Sequence, residues 1–160
     1  MLKHAAEDHP NEVCGMLGIL DGKVVSHYRI KNTHPSPYRY EMDPKEHFLT
    51  LKEVEDSGWD PAFYHSHSHS PAAPSDTDIR LASYPTNFYL IVSPHKFDGN
   101  NQQIEKKPQV RAFLIDEGQV TEEPVVITSV FWTLVHLGIW WVKRFKRVLL
   151  NLRVARKNSD

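Results

Sequence analysis

The segment Tyr64–Asp78 reads YHSHSHSPAAPSDTD, with histidines at 65, 67 and 69 and aspartates at 76 and 78. Neutral imidazole and carboxylate are ligands for a divalent transition metal. In an extended segment alternate side chains point the same way, so two neighbouring histidines of the three can reach one ion. A catalytic zinc takes three protein ligands and keeps a fourth position open. The nearest further ligand is Asp76 or Asp78. Spacing alone leaves open which pair of histidines and which aspartate are used.

The order of these residues resembles the JAMM (MPN+) metallopeptidases. That family carries His-x-His, seven residues, Ser, two residues and Asp, with a glutamate well upstream. Counting from His65 and His67 lands on Ser75 and Asp78; counting from His67 and His69 lands on Thr77 and Arg80, and arginine cannot ligate zinc. Upstream, Pro10–Gly18 (PNEVCGMLG) resembles the family's Glu-x-Cys-Gly segment and puts Glu12 in the catalytic position. The resemblance extends from Leu2 to Ile127. Many relatives have proline directly after the second histidine, where Ser68 stands here, and they open with a strand and a full helix before the glutamate. The short start here predicts one bare sheet edge.

The resemblance implies an α/β fold, a mixed β-sheet flanked by helices of the JAB/MPN, cytidine-deaminase-like kind. It implies one Zn2+ per chain held by His65, His67 and Asp78. Zinc in such a site lowers the pKa of bound water towards ~7. Glu12 then serves as general base and afterwards as acid, and Ser75 as donor to the oxyanion. Bacterial single-domain relatives cut the amide bond after the C-terminal Gly-Gly of small ubiquitin-like sulfur-carrier proteins, some releasing cysteine. Three other readings stand beside this one: a non-catalytic scaffold of the same fold, a membrane-surface adaptor, and a general small-peptide amidase.

Simpler roles compete for the same residues. Ser75 suits the N-cap of a helix, and Asp76 supplies charge to its first turn. His69 is a surface or substrate-contacting residue. Cys14 reads as a small core residue, since nothing nearby lowers its pKa.

The elements that must position these groups follow from local pattern. Leu2–His9 reads as a short helix. Val13–Leu20 and Lys23–Ile30, joined by Asp21-Gly22, read as a hairpin. After a loop with two prolines, Tyr38–Met42 reads as a short strand. Asp43-Pro44 is a helix start, with the helix running to Asp56 and ending at Gly58. A strand over Pro61–Ser66 enters the histidine segment, and a second helix covers Asp76–Tyr84. Thr86–Ser93 reads as a central strand. Val110–Ile115 and Val120–Ile127 form a last pair around Glu117-Gly118.

The chain has 160 residues, 40% hydrophobic, enough for one domain with a core. A formal net charge of −1 gives no reason to expect nucleic-acid binding. That near-zero total divides unevenly: from Ser129 onward seven Lys/Arg face Asp160 alone, so residues 1–128, which the resemblance makes the metallopeptidase domain, are acidic and residues 129–160 form a basic tail. Val130–Ala155 is rich in apolar and aromatic residues and reads as an amphipathic helix, covering the domain or a second copy in a homodimer, or lying on an anionic membrane surface. One cysteine and no apolar run after the N-terminal charges point to the cytoplasm, with the tail at most peripheral to a membrane.

Overall fold

The computed structural model describes residues 1–97, 100, 102–105, 107–129 and 150–154. In chain order, helix α1 is Leu2–Glu7, β1 is Cys14–Leu20, β2 is Lys23–Ile30, α2 is Pro44–Asp56, β3 is Asp60–Ser66, α3 is Asp76–Leu81 and β4 is Tyr89–Ser93. They are followed by β5 (Lys96–Phe97), β6 (Gln103–Glu105), β7 (Gln109–Asp116), β8 (Gln119–Glu123), β9 (Val125–Ser129) and β10 (Leu150–Val154).

Six strands form the body of one sheet in the order β8-β7-β4-β3-β1-β2, and β10 and β9 extend it past β2. Every pairing is antiparallel except β3 with β4, which α3 connects. A parallel pair needs such a crossover, and the ends of its strands open a crevice beside the connecting helix. The histidine segment leaves β3 at that place.

Strand alternation divides the core between the two faces. Val13, Leu17, Ala62, Tyr64, Leu90, Val92 and Ala112 pack together with Ala5 of α1. On the opposite face Met16, Ile30 and Phe63 pack on Val54 of α2, and Ile91, Phe113 and Ile115 pack beside Ile79 of α3. His65 alternates with Tyr64 and so shares the face of α2 and α3. Asp43 caps α2 by accepting from the Lys45 and Glu46 amides at 3.0 and 2.9 Å. Gly58 ends it at φ +71°.

Three expectations need correction. Val120–Ile127 is not one strand: β8 pairs with β7 and ends at Glu123, and after Pro124 the chain continues as β9 at the other end of the sheet. Tyr38–Met42 is not a strand: the segment folds back on itself, with isolated bridges joining Asn32 to Met42 and Ser36 to Arg39. Pro35 and Pro37 lack amide donors, and the Asn32 side chain takes the Glu41 N–H that a ladder would have used. In the tail, residues 150–154 are a strand rather than part of a helix, paired with β9 and, through Arg153 and Lys23, with the outer edge of β2. Leu150, Leu152 and Val154 alternate with Asn151 and Arg153, the period of a strand. The remainder of the expected helix lies outside the described residues. Among the described residues no helix is long and apolar enough to cross a membrane.

Gly15 is fixed by its surroundings. A Cβ there would run into the Tyr28 carbonyl oxygen and the Tyr64 ring. Tyr64 is in turn held by hydrogen bonds to His4 Nδ1 (2.8 Å) and His27 Nε2 (3.1 Å). Gly15→Ala therefore forces β1 away from β3, and a drop in stability of about 2 kcal/mol is expected in urea unfolding, within the usual cost of overpacking.

Candidate metal centre

Two local devices bring the distant sequence blocks together. Across β1 and β3, Cys14 lies opposite His65. At the last residue of β3, the Ser66 amide donates to the Val13 carbonyl and the Val13 amide donates to Ser66 Oγ, both at 2.9 Å. Glu12 is thereby held beside the histidines. The His67 amide donates to Val92 at 2.8 Å, anchoring the segment to β4 as well. Ser68 donates to the Asn11 carbonyl at 3.3 Å, tying the residue after the second histidine to the Glu12 segment.

His65, His67 and Asp78 converge. The two Nε2 atoms lie 3.1 Å apart, His65 Nε2 is 3.2 Å from Asp78 Oδ1, and His67 Nε2 is 3.3 Å from Asp78 Oδ2. Tetrahedral zinc with ligand bonds of about 2.0–2.1 Å has its donors about 3.3–3.4 Å apart, and these separations come close to that, with Asp78 presenting a different oxygen to each ring. His67 Nδ1 donates to the Pro71 carbonyl at 2.8 Å, which orients the ring with Nε2 towards Asp78 and His65. Tyr40 stacks on the His65 ring at 4.5 Å and holds its plane. The residues present fit a divalent metal. Among the described residues this is the one group of His, Cys, Asp or Glu with metal-ligating convergence.

Ser75 is the N-cap of α3. Its hydroxyl accepts from the Asp78 amide at 3.2 Å and donates to Asp78 Oδ2 at 2.6 Å, while its own amide donates to the same oxygen at 2.7 Å. The cap thus orients the ligand carboxylate. Asp76 lies in the first turn of α3 and outside the triangle. His69 stays out of it too, its ring 5.8 Å from those of His9 and Tyr38. Cys14 is buried and donates to the Ile30 carbonyl at 3.5 Å; burial pushes its thiol up to about 12, which suits a core residue.

Glu12, Ser75 and the triangle line one cleft of about 570 Å³. Burial raises the Glu12 carboxyl to about 7, and the Asp78 charge pushes the same way against His67. Asp78 behaves oppositely. Burial alone would raise it, but hydrogen bonds from both imidazoles and Ser75 hold it well below the usual carboxylate range. Burial pushes His65 down; at His67 burial is outweighed by Asp78 and the Pro71 carbonyl, and the ring is raised.

Sequence reasoning missed the loop over this cleft. Asn32 Nδ2 donates to the Glu12 carbonyl at 2.9 Å, and its Oδ1 accepts from the His34 and Glu41 amides at 2.9 and 3.0 Å. The Glu12 amide donates to the Ser36 carbonyl at 2.8 Å. One asparagine therefore clasps the loop that carries Tyr38 and Tyr40 to the glutamate. An asparagine before Thr-His-Pro signals a turn and little more, so only the fold reveals the clasp.

Comparison with known proteins agrees with this geometry. Residues 1–112 match the family described as prokaryotic homologs of the JAB domain. The chain belongs to that family of JAMM-type metallopeptidases. It is 35% identical over 135 residues to the CysO-cysteine peptidase of Mycobacterium tuberculosis, covering 81% of this chain and 85% of that protein. It is 42% identical over 102 residues to a desampylase of Haloferax volcanii, covering 59% and 73%. A solution structure of a Desulfitobacterium hafniense protein superimposes with a TM-score of 0.61 at 38% identity, covering 77% of this chain and 82% of that one.

Two outcomes are expected of the JAB-family site. In equilibrium dialysis His67→Ala and Asp78→Asn weaken zinc binding by about 10²-fold or more, whereas His69→Ala does not. In metal-free protein, the Glu12 carboxyl has a folded pKa of about 7 against 4.5 unfolded. Its stability contribution is fully present below pH 4.5 and is lost as pH rises through 7. Glu12→Gln escapes that loss, so thermal melts should show the variant gaining on wild type between pH 5 and 8.

Proposed function

We propose that the protein hydrolyses the amide bond after the C-terminal Gly-Gly of a small ubiquitin-like sulfur-carrier protein, releasing an amino acid such as cysteine. The observation that carries this reading is the His65–His67–Asp78 triangle facing, in one cleft, a glutamate whose carboxyl is raised to about 7. The 35% identity to a CysO-cysteine peptidase supports the choice of substrate class. In this reading residues 1–128 are the catalytic unit, and His65, His67 and Asp78 hold one Zn2+ per chain.

A zinc ion bound there would polarise the scissile carbonyl and acidify water. The remaining work falls to the chain itself. Glu12 accepts a proton from the attacking water and delivers it to the leaving nitrogen as the C–N bond breaks. A free carboxylate on the carrier and a free amine are the products. Ser75 serves the oxyanion. It accepts from the Asp78 amide through a lone pair, so its O–H can rotate from Asp78 towards the substrate without loss of the cap. The Asn32 clasp holds Glu12 and the loop in place while this happens.

The lone buried Cys14 fits a reducing cytoplasm. The composition of residues 129–160, and nothing else, supports a homodimer contact or an anionic membrane surface as a further partner.

Glu12→Gln is expected to bind one zinc as wild type does while hydrolysis of a carrier–cysteine adduct falls about 10³-fold. Ser75→Ala should retain metal and lose about 10-fold to 10²-fold in kcat. A Glu12→Gln enzyme with wild-type turnover would remove the glutamate from the mechanism.

A further inference from the structure

We propose that Arg39 reads a free carboxylate on the leaving side of the scissile bond, so that amino-acid adducts of the carrier are preferred over conjugates through a lysine side chain. The inference rests on the function proposed above and narrows its substrate class.

Four arginines have described side chains, and three of them are engaged. Arg29 donates to Glu7 at 2.6 Å, and Arg111 grips both oxygens of Glu122 at 2.8 and 2.6 Å. Arg80 reaches the Thr77 hydroxyl at 3.4 Å. Arg39 has no acceptor among the described residues, and it is the arginine of the four that lines the cleft of the metal centre.

The loop presents it from a fixed base. Its neighbours already lie against histidines of the cleft, Tyr40 on His65 and Tyr38 on His69. The Asn32 clasp, the Thr33 amide bond to the Glu41 carbonyl (2.8 Å) and the Ser36–Arg39 bridge hold the turn. Little backbone freedom is left to lose when the guanidinium finds a partner.

Charge places the partner. The carboxylates lining the cleft are Glu12, Glu41 and Asp78, and Glu41 is taken by His34 at 2.6 Å. In the zinc-loaded site the metal offsets Asp78, which leaves Glu12 to oppose a second carboxylate entering with the substrate unless a further cation offsets it. Arg39 is the guanidinium in position to do so, and its planar fork matches a carboxylate bidentately. In an amino-acid adduct that carboxylate is one carbon from the scissile nitrogen. In a lysine conjugate the corresponding atoms are methylenes, and the distant main chain is an uncharged amide.

The test uses the zinc-loaded full chain and a ubiquitin-like carrier ending in Gly-Gly, joined either to cysteine or to cysteine carboxamide. Wild type should cut the acid with a kcat/KM about 10-fold above the amide, one charge-assisted contact's worth. In Arg39→Gln that ratio collapses towards one, and in Arg39→Lys it recovers in part, because lysine supplies a point charge without the fork. Arg39 is exposed, so the variants should melt as wild type does. Equal cutting of acid and amide by wild type overturns the proposal, as does an equal loss on both in Arg39→Gln; the proposed function survives either result. If zinc-loaded wild type cuts neither adduct, the proposed function fails and takes this inference with it.

Discussion

Cys14 lies opposite His65 across β1 and β3, and the reciprocal bonds between Val13 and Ser66 carry that register one residue further. Nearly everything at the site depends on it. A slip of one residue would turn His65 to the α1 face and bury Tyr64 where the metal ligands meet. Gly15 allows the register because only a hydrogen fits between the Tyr28 carbonyl and the Tyr64 ring. The core of one face therefore sets the chemistry of the other. Glu12 needs no strand of its own, since it sits one residue beyond a fixed pair.

Environment sends the two carboxyls of the cleft in opposite directions. Asp78 is surrounded by donors and stays ionised, while Glu12 is buried with little compensation and titrates near neutrality. That separation is how a site divides ligand from proton carrier among residues of similar chemistry. Ser75 links the halves by capping α3 and orienting Asp78 at once. The sequence motif that places a serine three residues before an aspartate ligand is thus also a helix start. Folding and ligand geometry make the same demand on it.

Much of this was legible in the residues. The count from His65 to Ser75 and Asp78 reflects a strand exit, a tight loop and a first helical turn, each of nearly fixed length. Strands β1, β2, β3 and β7 carry strong apolar patterns bounded by turn residues, and their bounds differ from expectation by a residue or two. Less legible was the segment from Lys31 to Asp43. Its structure comes from one asparagine side chain bonding to three backbone groups far apart in the chain, and no periodicity records that. The apparent strand at Tyr38–Met42 came from aromatic residues that pack on the cleft's histidines instead of in a sheet. In the tail, a high apolar content masked the alternation of residues 150–154.

The claim on which the rest depends is that His65, His67 and Asp78 together bind one metal ion. X-ray absorption at the zinc edge, on full-length protein loaded with one equivalent, addresses it directly. The account predicts a four-coordinate site with nitrogen and oxygen neighbours at about 2.0–2.1 Å, two of them imidazoles, and no sulfur. In the Asp78→Asn protein that signature should be lost. A sulfur neighbour, an all-water shell, or an unchanged spectrum after Asp78→Asn would contradict it.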